Sequence, residues 1–431
     1  PPRSTPKPSS AASDVYKRQD VNYGTNMSSP TLPPTESFKF SMLLSDTRYR
    51  GMSLQVITFI IFMAVFFWLV DNTIKNLALL DKDVSFNFLW LRAGYDINQR
   101  LIPYTSDSTH GMAALVGILN TLLVAFVGCI IATVLGLFVG ILRLSKNWIV
   151  AKLMSAYIEG FRNVPVLLWI VMVFALLTEF TPAPRAFKGA EPEATMLFFE
   201  SIAITNRGTY FPAPVLAEGA YWLLLCFGLS IVASIYFIRY ANKQKKDTGK
   251  SLPTFWISVA VIIFPTLILF FAMGQPVSLE YPYLKGFNFK DGIHLRNSFL
   301  ALTLALAFYT SAFIAEIVRA GIMAVSKGQS EAAASLGLRP NKIMSLIILP
   351  QALRIIVPPL ISNYLNLTKN SSLAIAVGYM DVRGTLGGIT LNQTGRELES
   401  MLLLMGFYLA VSLLISSFIN YFNRSFQIVV R

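Results

Sequence analysis

Residues 330–360 read SEAAASLGLRPNKIMSLIILPQALRIIVPPL, and the fold is decided there. Glu331, Ala332, Ala333 and Ala334 are strong helix formers, and Gly337 supplies the usual stop, so the first half reads as a short helix. Lys327, Arg339, Lys342 and Arg354 make its surroundings basic. So polar a segment does not cross a bilayer, yet apolar runs flank it on both sides. Its place is a membrane face.

Outward from this stretch, the composition agrees. With 54% hydrophobic and only 14% charged residues, the chain is polytopic rather than a soluble domain around one core. A net charge of +13 invites a nucleic-acid reading, but the Lys and Arg residues gather in alternate loops between apolar runs. That is the pattern of membrane topology and anionic lipid contact, so lipid is an expected partner and nucleic acid is not. Cys129 and Cys226 both lie inside apolar runs and imply neither a disulfide framework nor a metal site.

Eight spans are expected, at 52–70, 112–142, 164–180, 220–238, 255–273, 298–320, 353–373 and 401–420. Basic loops near 143, 239 and 327 fall on one side with both termini, which places that side in the cytoplasm. The expected fold class is therefore an all-α polytopic membrane bundle. Residues 1–38, rich in Pro and Ser, are expected to be disordered, with a native and a non-native origin both open and no cleavable signal peptide; 39–111 hold the first span and an external loop; 112–431 form the main body.

Several details point to packing or passage. Gly128, Ala132, Gly136 and Gly140 recur every fourth residue, a ridge whose default use is close helix packing rather than dimer recognition. Glu159 and Arg162 are spaced to pair on one helical face, either as an inconsequential ion pair or in gating; Glu316 and Arg319, at an inner helix end, are expected to snorkel. The run RYANKQKKDTGKS ends in a Gly-Lys-Ser, but Gln244 stands where a phosphate-binding loop needs its first glycine. No cofactor site is expected in this chain. Pro358 and Pro359 are expected to kink or delay the seventh span. Above them Asn363, Asn366 and Asn370 share a face, with Lys369 beside them, and serve either interhelical hydrogen bonding or a polar substrate path.

The pattern EAA, three residues, Gly, nine residues, I-x-L-P is met at Glu331, Ala332, Ala333, Gly337, Ile347, Leu349 and Pro350, and resembles the cytoplasmic signature of binding-protein-dependent ABC transporter permeases. The flanking RAGIMAVSKGQS and LPQALRIIVPPLISNYLNLTKNSSLA, with YIEGFRNVP, GYMDV and LNQTGRELE, are similar to the polar amino acid branch, in particular the Q-type permeases of general L-amino acid and glutamate-glutamine-aspartate-asparagine transporters. The resemblance implies a type I importer core in the bacterial inner membrane, with 220–273 as an inserted helix pair and 321–350 as the coupling loop. It also implies a translocation subunit that is not an enzyme. ATP would be hydrolysed by a pair of cytoplasmic ATP-binding subunits docked on Glu331, Ala332, Ala333, Gly337 and Pro350. A second, M-type permease and a periplasmic amino-acid-binding protein would complete the importer. An ion- or proton-coupled secondary amino acid transporter is the alternative, although no internal repeat supports it.

Overall fold

The computed structural model describes residues 47–79, 83–189, 192–249 and 252–426; the expectation for residues 1–38 lies outside them. The chain divides into two units, residues 1–83 and 84–431. In the first, α1 (Thr47–Leu79) is a 33-residue helix with exposed apolar side chains on every side, including Phe59, Phe62, Phe67 and Trp68. It contains the expected first span at its centre.

The second unit is built around α2 (His110–Arg143) and α7 (Asn297–Met323), whose small residues let the backbones meet. A Cβ at Gly136 would stand 2.6 Å from Cβ of Ile314, and one at Gly140 would stand 2.7 Å from the carbonyl oxygen of Ala315. The expected glycine ridge thus packs within the chain. Leu302, Leu306, Ile314, Val124 and Ala132 form the shared core, to which Ile170 and Leu367 are added from neighbouring helices.

Between α2 and α7 come α3 (Trp148–Asn163) and α4 (Val166–Glu179), which meet at 106°. Pro165 stands at the break, where the residue before a proline is driven out of helical conformation. The expected span at 164–180 is therefore a 14-residue helix, about 21 Å long and too short to cross alone. Seven described helices are long and apolar enough to span, or eight if this bent pair counts as one.

Next come α5 (Tyr221–Thr248) and α6 (Thr254–Ala272), which pack on each other as an antiparallel hairpin. The bundle is mostly helical, but among the described residues the loops before α5 and after α6 carry seven short strands. In the first, β1 (Ala203–Thr205), β2 (Gly208–Phe211) and β3 (Ala213–Leu216) precede α5; in the second, β4 (Val277–Glu280), β5 (Tyr283–Lys285), β6 (Asn288–Lys290) and β7 (Ile293–Leu295) follow α6. All pairings are antiparallel: β1 with β2, β2 with β7, β3 with β4, and β5 with β6. Pairing β2 to β7 and β3 to β4 joins the two loops, so the helix hairpin hangs from a subdomain of three small sheets. Tyr210, Phe289 and Ala203 form its small core.

After α7 come α8 (Lys327–Ser335), a helical turn at Pro340–Ile343, a π-helical turn at Met344–Ile348, and α9 (Leu349–Asn370). The helix neither stops at Pro358 and Pro359 nor starts after them, so the expected delay does not occur. The last helix is α10 (Glu397–Phe426).

Candidate functional site

Three places in the second unit carry groups suited to work. The first is the polar loop that follows α7. Its helix α8 ends in two reversed bonds, Gly337 N to the Ala334 oxygen at 2.9 Å and Leu338 N to the Ala333 oxygen at 3.3 Å, with Gly337 left-handed at φ 73°. This Schellman arrangement explains the glycine by conformation alone, because a Cβ there would meet nothing within 4 Å. The two alanines of the motif part company. Ala333 is buried against the chain's own elements, whereas Glu331, Ala332 and Leu336 are exposed, Leu336 by 82%. Close approach of an outside partner is thus open at Ala332, while Ala333 seats the loop. Pro350 lies at the start of α9, one residue beyond a π-turn in which Leu349 N reaches back to the Met344 oxygen. A proline offers no N–H to the preceding turn, and the wider π-turn is a common accommodation of such breaks.

At the same end, Arg143 of α2 and Arg319 of α7 both pair with the Glu316 carboxylate, Arg319 Nη2 at 2.6 Å from Oε1, and Arg143 Nε also donates to Ser155 of α3 at 3.1 Å. The pair expected to snorkel is thus a node joining three helices. Glu159 and Arg162 do not pair among the described ion pairs; the Arg162 guanidinium lies 5.2 Å from the Phe313 ring centroid instead.

The second place is the polar face of α9. Tyr364, Leu367 and Thr368 turn inward, with Tyr364 sharing a 2.5 Å hydrogen bond with Thr133 of α2. Asn366 and Lys369 are exposed, Asn363 and Asn370 are half-buried, and Asn363 Nδ2 donates to the Pro359 oxygen at 2.9 Å. The four residues named from sequence therefore share a face of α9 that the bundle does not consume.

The third place was not read from the sequence. Residues 84–109 pack over the far end of the bundle through Ala93, Ile97 and Tyr104 against Ala113 and Val116. Buried Asn120 donates from Nδ2 to the carbonyl oxygens of Gln99 and Met380, both at 2.8 Å, and its backbone carbonyl accepts the Tyr379 hydroxyl. Next to it Asp381 is fully buried; Oδ1 accepts Gly384 N at 2.8 Å and Oδ2 has no hydrogen-bond partner among the described residues. Burial pushes the Asp381 carboxyl up to about 6. Thr390 contacts both His110 Nδ1, at 3.0 Å, and the Tyr95 hydroxyl, at 3.2 Å, tying 84–109 to the loop after α9. A lone Asp in GYMDV and an Asn in an apolar run were the signals available.

The Gly-Lys-Ser at 249–251 proves to begin with a helix stop, since Gly249 is left-handed at φ 72° and closes α5.

Comparison with known proteins decides the family. The model described as "Binding-protein-dependent transport system inner membrane component" matches residues 247–428. The chain is 50% identical over 422 residues to the glutamate/glutamine/aspartate/asparagine transport system permease protein BztB of Rhodobacter capsulatus, covering 93% of this chain and 99% of that one. It belongs to the amino acid ABC transporter permeases. The general L-amino acid transport system permease protein AapQ of Rhizobium johnstonii is 44% identical, with 91% and 96% covered. Among solved structures, an amino acid ABC transporter crystallised with histidines aligns with a TM-score of 0.42 at 20% identity, over 73% of this chain and 95% of that one. As a permease of this family the chain is a multi-pass membrane translocation subunit, and ATP hydrolysis resides in a separate subunit.

Proposed function

We propose that this permease imports L-amino acids across the bacterial inner membrane with both termini in the cytoplasm, together with an M-type permease, a pair of ATP-binding subunits and a periplasmic amino-acid-binding protein. The observation that carries the reading is the near-full-length 50% identity to BztB, whose name gives glutamate, glutamine, aspartate and asparagine as its substrates. The alignment with AapQ widens the expected range to L-amino acids in general. No observation favours ion or proton coupling.

In this reading ATP is used by the partner subunit, which grips the loop through Glu331 and Ala332. Their exposure beside the buried Ala333 suits a helix laid into a groove. Leu336 adds an exposed apolar contact at the same end. Closure of the ATPase pair pulls α8 and, through Pro350, rocks α9 as one lever of a two-state bundle. Asn363, Asn366, Lys369 and Asn370 line a path shared with the second permease, which supplies its other wall, and the Lys369 ammonium suits a carboxylate-bearing solute.

The test is uptake by the four-component transporter in sealed vesicles, with a competition panel of the common amino acids. Uptake is expected to need ATP, and Glu331→Lys is expected to lower it more than ten-fold (about 1.4 kcal/mol of coupling) while membrane insertion is unchanged. Transport without ATP or without the ATPase pair would overturn the assignment, and normal uptake by Glu331→Lys would remove the coupling role.

A further inference from the structure

In the helix hairpin of α5 and α6 the two helices match at one end and not at the other. Its outer ends are level: a Cβ at Gly219 would stand 3.2 Å from Cε of Met273, and Ala217 N donates to the Pro276 oxygen at 2.8 Å. From there α5 runs 28 residues and α6 only 19. At 1.5 Å per residue, α5 overshoots its partner by about 13 Å, beginning near Arg239.

What the overshoot carries is cationic. Arg239, Lys243 and Lys245 are exposed, no described carboxylate pairs with them, and Asp247 is the sole acid between 239 and 250. The overshoot is folded rather than frayed, with Ala241 buried and Gly249 closing the helix. Tyr236 and Tyr240 on α5, and Trp256 on α6, stand exposed at the level where it begins. Aromatic side chains with one apolar and one polar end prefer the headgroup depth of a bilayer, so this level marks the membrane surface. Outward of it both helices expose Leu, Ile, Val and Phe side chains such as Leu229, Val232, Ile263 and Phe264.

We propose that the overshoot of α5 is a binding surface for anionic phospholipids, the phosphate held by Arg239 and Lys243, one turn apart on the face that carries Leu229 and Val232, with Lys245 adding positive charge from the opposite side and the acyl chains laid along the apolar flank of the hairpin. Topology rules explain why cations are kept on one side of a membrane. They do not require a folded basic extension placed directly over an apolar face. Free phosphate shares the headgroup's charge but not the acyl chains, and the apolar flank is what selects the lipid.

The test uses the assembled transporter, delipidated in neutral detergent and titrated with phosphatidylglycerol, phosphatidylcholine or inorganic phosphate, with bound lipid counted by native mass spectrometry. Wild type is expected to hold phosphatidylglycerol over phosphatidylcholine, and each cation removed is expected to weaken that preference about five-fold. The triple variant Arg239→Gln, Lys243→Gln, Lys245→Gln is therefore expected to lose at least about ten-fold. The charge-keeping variant Arg239→Lys, Lys243→Arg, Lys245→Arg is expected to retain the preference. If the triple variant does not assemble, Lys243→Gln with Lys245→Gln is read instead, against the salt dependence of wild-type binding. Unchanged phosphatidylglycerol affinity in the neutralised variants, salt-independent binding, or equal competition by inorganic phosphate would each overturn the proposal.

Discussion

The α2–α7 pair and the α5–α6 hairpin are both made of long apolar helices, and they meet opposite fates. Of the 27 residues of α7, fifteen are buried; of the nineteen of α6, only Ser258 is. Yet α6 is the more apolar of the two, while α7 buries Asn297, Thr303, Thr310 and Ser311. Inside a bilayer, apolar surface gains nothing by leaving lipid for protein, so hydrophobicity does not choose what is buried. Close backbone approach and satisfied polar groups do. Gly136 and Gly140 admit α7, and Tyr157 reaches Ser311 at 2.7 Å, whereas the hairpin offers bulky side chains on nearly every face.

The sharpest way to break this contrast is to place the same bulk in both regions. Gly136→Leu drives a side chain into Ile314 and the Ser311 carbonyl oxygen, the latter 3.0 Å from the new Cβ. A loss above about 3 kcal/mol is expected, read as failure of the permease to survive purification as a single species. At Gly228 of α5 nothing lies within 4 Å, so Gly228→Leu is expected to leave yield and melting temperature unchanged. Equal damage at the two sites would mean that the hairpin is packed against a protein surface.

Polar residues give the second contrast. Asn120→Leu strands the carbonyl oxygens of Gln99 and Met380 in a buried site, at a cost of about 2–4 kcal/mol in stability. Asn366→Leu, on the exposed face of α9, is expected to leave the melting temperature unchanged and to alter uptake. A stability loss there would place Asn366 in interhelical bonding rather than along the path.

Asp381 gives the third. Its carboxyl is raised from 3.8 to about 6 by burial, so the native state holds the proton more tightly than the unfolded chain. The stability this contributes is fully present below the ordinary carboxylate range and is lost as the pH rises through about 6. Stability is therefore expected to fall by about 2–3 kcal/mol from pH 4 to pH 7, and Asp381→Asn is expected to flatten that slope. A slope unchanged in the variant would assign it to other groups.

Much of this was legible in the sequence because it rests on composition and short-range spacing. The apolar runs give the spans, Gly337 gives the stop of α8, and the four-residue repeat of small side chains gives the packed face of α2. The bend at Pro165 was signalled by a proline, but a 14-residue apolar run can be a short span or half of a broken one. The strands were missed because each is three or four residues long, although AITNRGTYF and YLKGFNFK carry hairpin turns around glycine. Local pattern cannot say which alanine of EAA faces inward, nor that residues 84–109 cover Asn120, because both depend on contacts between residues distant in the chain. Asp381 was hidden for the same reason: a lone acid in a loop reads as solvated until its neighbours are placed.

The smallest effect is expected at the remaining kind of glycine. Gly337, unlike Gly136, has open space around it, and unlike Gly228 it has φ 73°. Gly337→Ala therefore meets no clash and costs only the left-handed backbone, about 1 kcal/mol. That cost falls on one exposed turn, so the melting temperature of the bundle is expected to stay within error. If the Schellman turn fixes the angle at which α8 meets its partner, ATP-driven uptake drops a few-fold while the purified permease is unchanged. Gly337→Asn, a residue that tolerates the left-handed region, then recovers most of it. Uptake lost equally in both variants would show that the partner needs the bare backbone of Gly337 for contact, and the position would then resemble Gly136 after all.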